Sequence, residues 1–100
     1  MRQGTTPTHI FRLNFDPEKI SKFRVLYAQG DAVVFTKEHD DCEIEGNVLR
    51  VRLTQEETLM LESSKLVQIQ LRALTSAGEA LASAIVRTSV DKCLESEVFE

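Results

Sequence analysis

Apolar and polar residues alternate along several short stretches of this chain, and residues that favour turns separate those stretches. In residues 9–15, Phe11, Leu13 and Phe15 fall on one side of an extended chain, and Arg12 falls on the other. This period of two predicts an antiparallel strand with one buried and one wet face. The same pattern predicts further strands over residues 22–28, 32–37, 48–53 and 65–74.

Turn residues connect these strands into hairpins. The sequences Gln29-Gly30-Asp31 and Glu45-Gly46-Asn47 are both typical of tight turns. A short extended stretch at 42–44 precedes the second turn. The pattern of residues 80–90 predicts a last strand with Val86, Thr88 and Val90 on one face. The alanine-rich start of this stretch predicts an irregular or bulged entry.

One segment has the features of a helix rather than of a strand. Thr54 is followed three residues later by Glu57, which is the spacing of a capping box. The segment is only long enough for a short helical turn near 55–60, since Ser63 and Ser64 follow closely. We expect Leu59, and with it Leu61, to pack into the core.

Together these elements predict an all-β chain folded as an immunoglobulin-like antiparallel β-sandwich of about seven strands, with one short helical turn near 55–60. The chain has no Trp and lacks the Cys…Trp…Cys core of antibody domains, so the expected likeness is one of architecture. A small barrel is the alternative. Residues 1–90 form the predicted domain, and residues 91–100 form an acidic C-terminal tail.

The composition of the chain excludes some classes of function but does not identify one. The 100 residues include 12 Lys and Arg against 16 Asp and Glu, giving a formal net charge of −4. We therefore expect no nucleic-acid partner and no membrane partner, because both need a basic face. No apolar run approaches the roughly 20 residues of a membrane span, and the first residues lack the apolar stretch of a secretory signal.

The two cysteines, Cys42 and Cys93, are expected to be reduced thiols. Small secreted scaffolds usually carry four or more cysteines, and neither residue belongs to a CxxC pair. A single bridge between facing strands is the alternative, and it would close a long loop.

Candidate catalytic and metal-binding residues are few. His9 and His39 are the only imidazoles, and the run from His39 to Cys42 places neighbouring side chains on opposite faces of a strand. We therefore expect no metal site, no cofactor and no enzymatic activity. The acidic segment 38–45 is expected to be a solvated loop. Loose Ca²⁺ binding there stays open, although the spacing of an EF-hand loop is absent.

Basic side chains alternate with apolar ones on several strands and point outward. Cross-strand pairing with Asp and Glu is the expected arrangement, and a basic stripe on one sheet is the alternative. The five residues are Arg12, Arg24, Arg50, Arg52 and Arg72. Residues 1–37 carry six basic and three acidic side chains, and residues 38–100 carry six and thirteen. This polarity suits head-to-tail assembly.

Several segments together resemble a group of short proteins encoded by phages and prophages of Firmicutes. The resemblance spans nearly the whole chain and is one of overall pattern rather than of a catalytic motif. It is carried by residues 6–16, 27–31, 41–47, 53–59, 80–83 and 92–94. It implies a β-sandwich protein of about 100 residues whose role is unknown or structural. It assigns a function to no residue of this chain.

We therefore expect a non-enzymatic structural, assembly or adaptor module, associated with a phage virion or tail. Its expected partners are proteins, either further copies of itself or other phage structural proteins. It would reside in the bacterial host cytoplasm during assembly and then in the virion. Leu94, Val98 and Phe99 in the tail are the candidate partner contacts. A carbohydrate- or cell-surface-binding module is the alternative.

Overall fold

Eight strands form two antiparallel sheets in the computed structural model, which describes residues 1–100. The strands are β1 (Thr8–Arg12), β2 (Ile20–Gln29), β3 (Ala32–Glu38), β4 (Cys42–Glu45), β5 (Val48–Arg52), β6 (Val67–Thr75), β7 (Ala80–Ala82) and β8 (Val86–Thr88). One α-helix, α1 (Gln55–Leu59), follows β5, and two 3₁₀ turns cover Pro17–Lys19 and His39–Asp41. No helix has the length and apolar character needed to cross a membrane.

The order of the strands is that of an immunoglobulin-like sandwich. The smaller sheet has the order β1-β5-β4, and the larger sheet has the order β3-β2-β6-β7, with β8 also pairing to β6. With β1 taken as strand B of the immunoglobulin nomenclature, these are the sheets B-E-D and C′-C-F-G. The predicted all-β immunoglobulin-like sandwich is therefore confirmed. In residues 1–100, no strand pairs with β1 at the position of strand A.

The core lies between the inner faces of the two sheets. It is formed by the apolar residues that recur at every second position along the strands. Phe23, Val25 and Tyr27 of β2 are at most 1% exposed, and they face Leu49 and Val51 of β5. The remaining buried apolar residues are Leu13, Leu53, Leu61, Val67, Ile69, Leu71, Ala73 and Val90. Tyr27 stacks on Phe35 with 4.8 Å between ring centroids.

A two-residue turn connects β2 to β3. Both of its residues have positive φ angles, 57° for Gly30 and 63° for Asp31. Positive φ at both central positions is the type I′ geometry, which matches the twist of the flanking strands. The Asp31 side chain is held by Gln68 on β6, whose Nε2 donates to Oδ1 over 2.7 Å.

The last predicted strand, 80–90, is interrupted, which raises the count from seven strands to eight. β7 and β8 are separated at Ser83, whose hydroxyl oxygen accepts from the Leu71 backbone N–H at 3.0 Å and donates to the Ala84 carbonyl at 2.9 Å. The side chain thus takes a place that a backbone carbonyl would occupy in a regular ladder. Val86 is 56% exposed, because β8 is a short edge strand.

The helical turn forms where the capping box predicts it, with Thr54 as N-cap and Glu57 as the reciprocal residue. Leu61, just after the helix, is 1% exposed and belongs to the core, whereas Leu59 is half-buried. The acidic segment 38–45 is more ordered than a loop, since it comprises the end of β3, a 3₁₀ turn and β4. Its carboxylates are nevertheless exposed.

Candidate functional site: an open side of the sandwich

β1 lies at one edge of the smaller sheet, and its outer side is free. β1 pairs with β5 along one side only. The flanking bonds, from Leu53 N–H to the Pro7 carbonyl and from Leu13 N–H to the Asn47 carbonyl, direct the odd-numbered residues toward β5. In an antiparallel ladder the backbone groups alternate in direction. The N–H and C=O groups of Thr8, Ile10 and Arg12 therefore point away from the sheet and have no partner strand.

The chain before β1 explains why this edge is free. Met1–Gln3 does not pair with β1 but with the segment that follows β8, where Arg2 forms a parallel bridge with Asp91. The Gln3 N–H donates to the Asp91 carbonyl at 3.0 Å, and the Asp91 N–H donates to the Met1 carbonyl at 2.7 Å. Residues 1–7 therefore do not occupy the place of strand A.

An apolar groove runs between β1 and the broken strand β7, where the two sheets are not joined. Its volume is about 650 Å³. The side of the smaller sheet is formed by Ile10, Phe11 and Phe15, and the opposite side by Leu81 and Ala84. The core residues Leu13, Leu71 and Ala73 also line it, and each keeps 6% exposure. The groove thus reaches the hydrophobic core from the open side.

Ile10 marks this site in the sequence, although the alternating pattern alone does not single it out. It occupies an outward position of β1 between the inward-facing His9 and Phe11, where a polar residue is expected, and it is 58% exposed. An apolar residue on the polar side of an edge strand is the signal that sequence analysis overlooked.

The solvent face of the smaller sheet is basic next to this edge. Arg12 lies on β1, Arg52 lies opposite Thr8, and Arg50 lies opposite Ile10 in the register of β1 with β5. Arg50 makes an ion pair with Glu45 over 3.2 Å, whereas Arg12 and Arg52 make none. Arg24 and Arg72 lie opposite each other on the larger sheet instead. The five arginines therefore form no single stripe, and only Arg24 and Arg50 make the expected ion pairs.

The three candidate contact residues of the C-terminal tail differ in their surroundings. Leu94 is 98% exposed and Phe99 is 79% exposed, whereas Val98 is half-buried beside Thr6 and Arg52. The backbone of Phe99 is held by Gln55 of α1, which accepts from its N–H at 2.8 Å and donates to its carbonyl at 3.1 Å. The tail thus presents apolar side chains to solvent while one of its residues is fixed to the helix.

The two histidines are separate and take part in packing. His9 Nδ1 is 2.7 Å from the Tyr27 hydroxyl, and His39 Nδ1 accepts from the Phe23 backbone N–H at 3.2 Å. Burial, and secondarily the positive N-terminus, lowers the pKa of His9. Burial raises the pKa of Tyr27. No group of three or more His, Cys, Asp or Glu side chains is placed to hold a metal ion.

Both cysteines are free. Burial, followed by the negative charge of Asp41, raises the pKa of the Cys42 thiol. A thiol with a raised pKa forms little of the reactive thiolate at neutral pH. Its Sγ lies 3.3 Å from the Glu38 carbonyl, to which it donates. Cys42 thus has the environment of a structural thiol rather than of a nucleophile.

Comparison with known proteins adds little to this description. No protein-family model matches the chain, and no curated protein matches it. Among solved structures it is similar to the V domain of amphioxus IgVJ-C2, at 12% sequence identity and a TM-score of 0.38. That alignment covers 90% of this chain and 96% of the other.

Proposed function

We propose that this protein is a non-enzymatic assembly module, which binds an extended segment of a protein partner along the free edge of β1. The single observation that carries the proposal is the coincidence of that edge with the apolar groove. Unpaired N–H and C=O groups supply the hydrogen bonds of an added strand, and a groove beside them accepts its alternate side chains. The unpaired backbone groups belong to Thr8, Ile10 and Arg12. The groove is lined by Phe11 and Leu81.

The phage setting of this proposal rests on the sequence resemblance. Under it, the partner is either a further copy of the chain or another structural protein of the particle. The edge and the groove suit such a role because strand addition joins subunits without any covalent chemistry.

The small number of exposed aromatic side chains favours an assembly module over the alternative of a carbohydrate-binding module. Glycan-binding faces commonly use exposed aromatic rings. Tyr27 is fully buried, and Phe99 is the one exposed aromatic side chain of the chain.

The test uses proline to block the edge. Residue 10 directs its N–H away from β5, so Ile10→Pro removes an unpaired donor and leaves the β1–β5 ladder intact. Ile10→Ala is the matched control, because it removes the side chain and keeps the N–H. Sedimentation velocity over a concentration series should show association of the wild type, weaker association of Ile10→Ala and none of Ile10→Pro, with circular dichroism reporting the same fold for all three.

The phage setting is tested by quantitative mass spectrometry of purified particles. We expect the protein at a fixed copy number per particle. A chain that stays monomeric at every concentration, and that is absent from purified particles, would overturn the proposal.

A further inference from the structure

We infer that the segment bound in the groove is Leu94–Val98 of a second copy of this chain. The inference rests on the proposed function and specifies its partner. The contact joins two different surfaces, the tail of one copy and the β1 edge of the next. Such a contact closes into a dimer when two copies exchange tails reciprocally, and otherwise it propagates into a ring or a filament.

The alternation of this segment fits a strand with one apolar and one acidic face. Leu94, Ser96 and Val98 fall on one side of an extended chain, and Glu95 and Glu97 fall on the other. An added strand beside β1 directs one side into the groove and the other to the solvent face. The apolar side chains would then lie against Phe11 and Leu81.

The charge of the segment complements the solvent face that it would join. Glu95 and Glu97 would lie beside Arg12, the basic residue on the outward side of β1, and near Arg50 and Arg52 on β5. Arg12 and Arg52 have no ion-pair partner within the chain, and neither glutamate has one either. Opposite charges on neighbouring strands stabilise their pairing.

The state of the segment within its own chain leaves it available. Between Leu94 and Val98 no backbone group makes a hydrogen bond, and Leu94 is 98% exposed. The segment is held near its two ends, and Val98 is also half-buried beside Thr6 and Arg52. The Cys93 N–H donates to Gln3 Oε1 at 3.2 Å, and Gln55 holds the Phe99 backbone.

These two anchors also favour a second copy over the same chain as the donor. None of residues 94–98 lines the groove, so the segment does not occupy the groove of its own chain. The Gln55 side chain opposes release of the tail, because its two hydrogen bonds to the Phe99 backbone must break before the tail can extend toward a second copy. Gln55→Ala is therefore expected to strengthen association about threefold to tenfold.

The test measures binding of a labelled peptide of residues 91–100 to the full-length protein, held at a concentration where it is monomeric. We expect saturable binding by fluorescence anisotropy, and slower hydrogen exchange at the Thr8, Ile10 and Arg12 amides when the peptide is bound. Ile10→Pro should abolish binding. A peptide with Glu95→Lys and Glu97→Lys should bind about tenfold more weakly, and the Arg12→Glu protein should recover most of that loss. Glu100→Lys is the control for net charge, and it should change binding less than threefold.

Full-length variants separate this inference from the proposed function. Leu94→Ser with Val98→Ser should abolish concentration-dependent association while the fold is retained. If this double variant associates like the wild type, the peptide does not bind, and Ile10→Pro still prevents association, then the tail is not the donor and the edge keeps its proposed role. If neither the tail variants nor Ile10→Pro changes association, both proposals are wrong.

Discussion

Lys37 donates from Nζ to both carboxylate oxygens of Glu57, over 2.9 and 3.1 Å, and thereby ties β3 to the helix α1. The Lys37 side chain is 9% exposed and that of Glu57 is 20% exposed, so the pair is largely removed from water. Glu57 Oε1 also accepts from the Thr54 N–H at 2.8 Å. One carboxylate thus completes both the helix cap and a bridge between distant parts of the chain.

Loss of this lysine should destabilise the fold through the carboxylate that it leaves behind. We expect Lys37→Met to lower the free energy of unfolding by about 2 kcal/mol, below the range of fully buried pairs because Glu57 keeps some contact with water. Urea unfolding measures the change. The double variant with Glu57→Gln should cost less than the sum of the two single changes, and strict additivity would contradict a direct interaction.

The pairing of His9 with Tyr27 predicts a dependence of stability on pH. The pKa of His9 is lowered in the folded state, so above pH 6.5 the imidazole is neutral in both states and contributes no pH dependence. Below pH 6.5 the unfolded chain takes up a proton that the folded chain resists. Stability therefore falls as the pH decreases through 6.5, by at most about 1.4 kcal/mol per pH unit.

The measurement is chemical unfolding of the wild type and of His9→Gln at pH values between roughly 7.5 and 5. Ordinary carboxylates titrate below this range. The difference between the two proteins isolates His9 from His39, which both retain. A difference that stays constant over this range, or that changes in favour of the wild type as the pH falls, would show that His9 is not buried as described.

Gln29 predicts a second polar contribution to stability, at the end of β2. It is 6% exposed, and its Nε2 donates to the carbonyls of Glu62 and Lys65 at 2.8 and 3.2 Å. Its Oε1 accepts from the Glu62 N–H at 2.9 Å. Gln29→Met keeps the volume but leaves three backbone groups without this partner, so we expect a loss of about 2–3 kcal/mol in thermal or urea unfolding. Gln68→Met, at an exposed hydrogen bond on the larger sheet, is the matched control and should cost under about 1 kcal/mol.

The alternation of apolar residues is sufficient to predict the two sheets and most of the core, because the side-chain period of a strand is fixed by backbone geometry. Phe23, Val25 and Tyr27 illustrate this. The candidate site was not predictable in the same way, since it depends on the absence of a strand beside β1. No local signal in residues 1–7 shows that they cross to Asp91 instead of pairing with β1.

Long-range polar contacts were beyond sequence analysis for a related reason. The bonds of Gln55 to Phe99 and of Ser83 to Leu71 join residues that are 44 and 12 positions apart. Neither side chain differs locally from an ordinary surface residue. Such partners are selected by the tertiary fold, so their position in the sequence carries no pattern from which to infer them.

Ser83 supplies the last prediction, because its hydroxyl holds the break between β7 and β8 beside the groove. Ser83→Ala leaves the Leu71 N–H without that acceptor, and we expect a loss of about 1–2 kcal/mol in stability. Ser83→Thr retains the hydroxyl and should cost less. Hydrogen exchange gives a local measurement, since the Leu71 amide should exchange faster in Ser83→Ala, whereas the Val25 amide on the neighbouring strand should change only with global stability. Equal exchange of Leu71 in the wild type and in Ser83→Ala would mean that the backbone, and not the serine side chain, maintains the break in the strand.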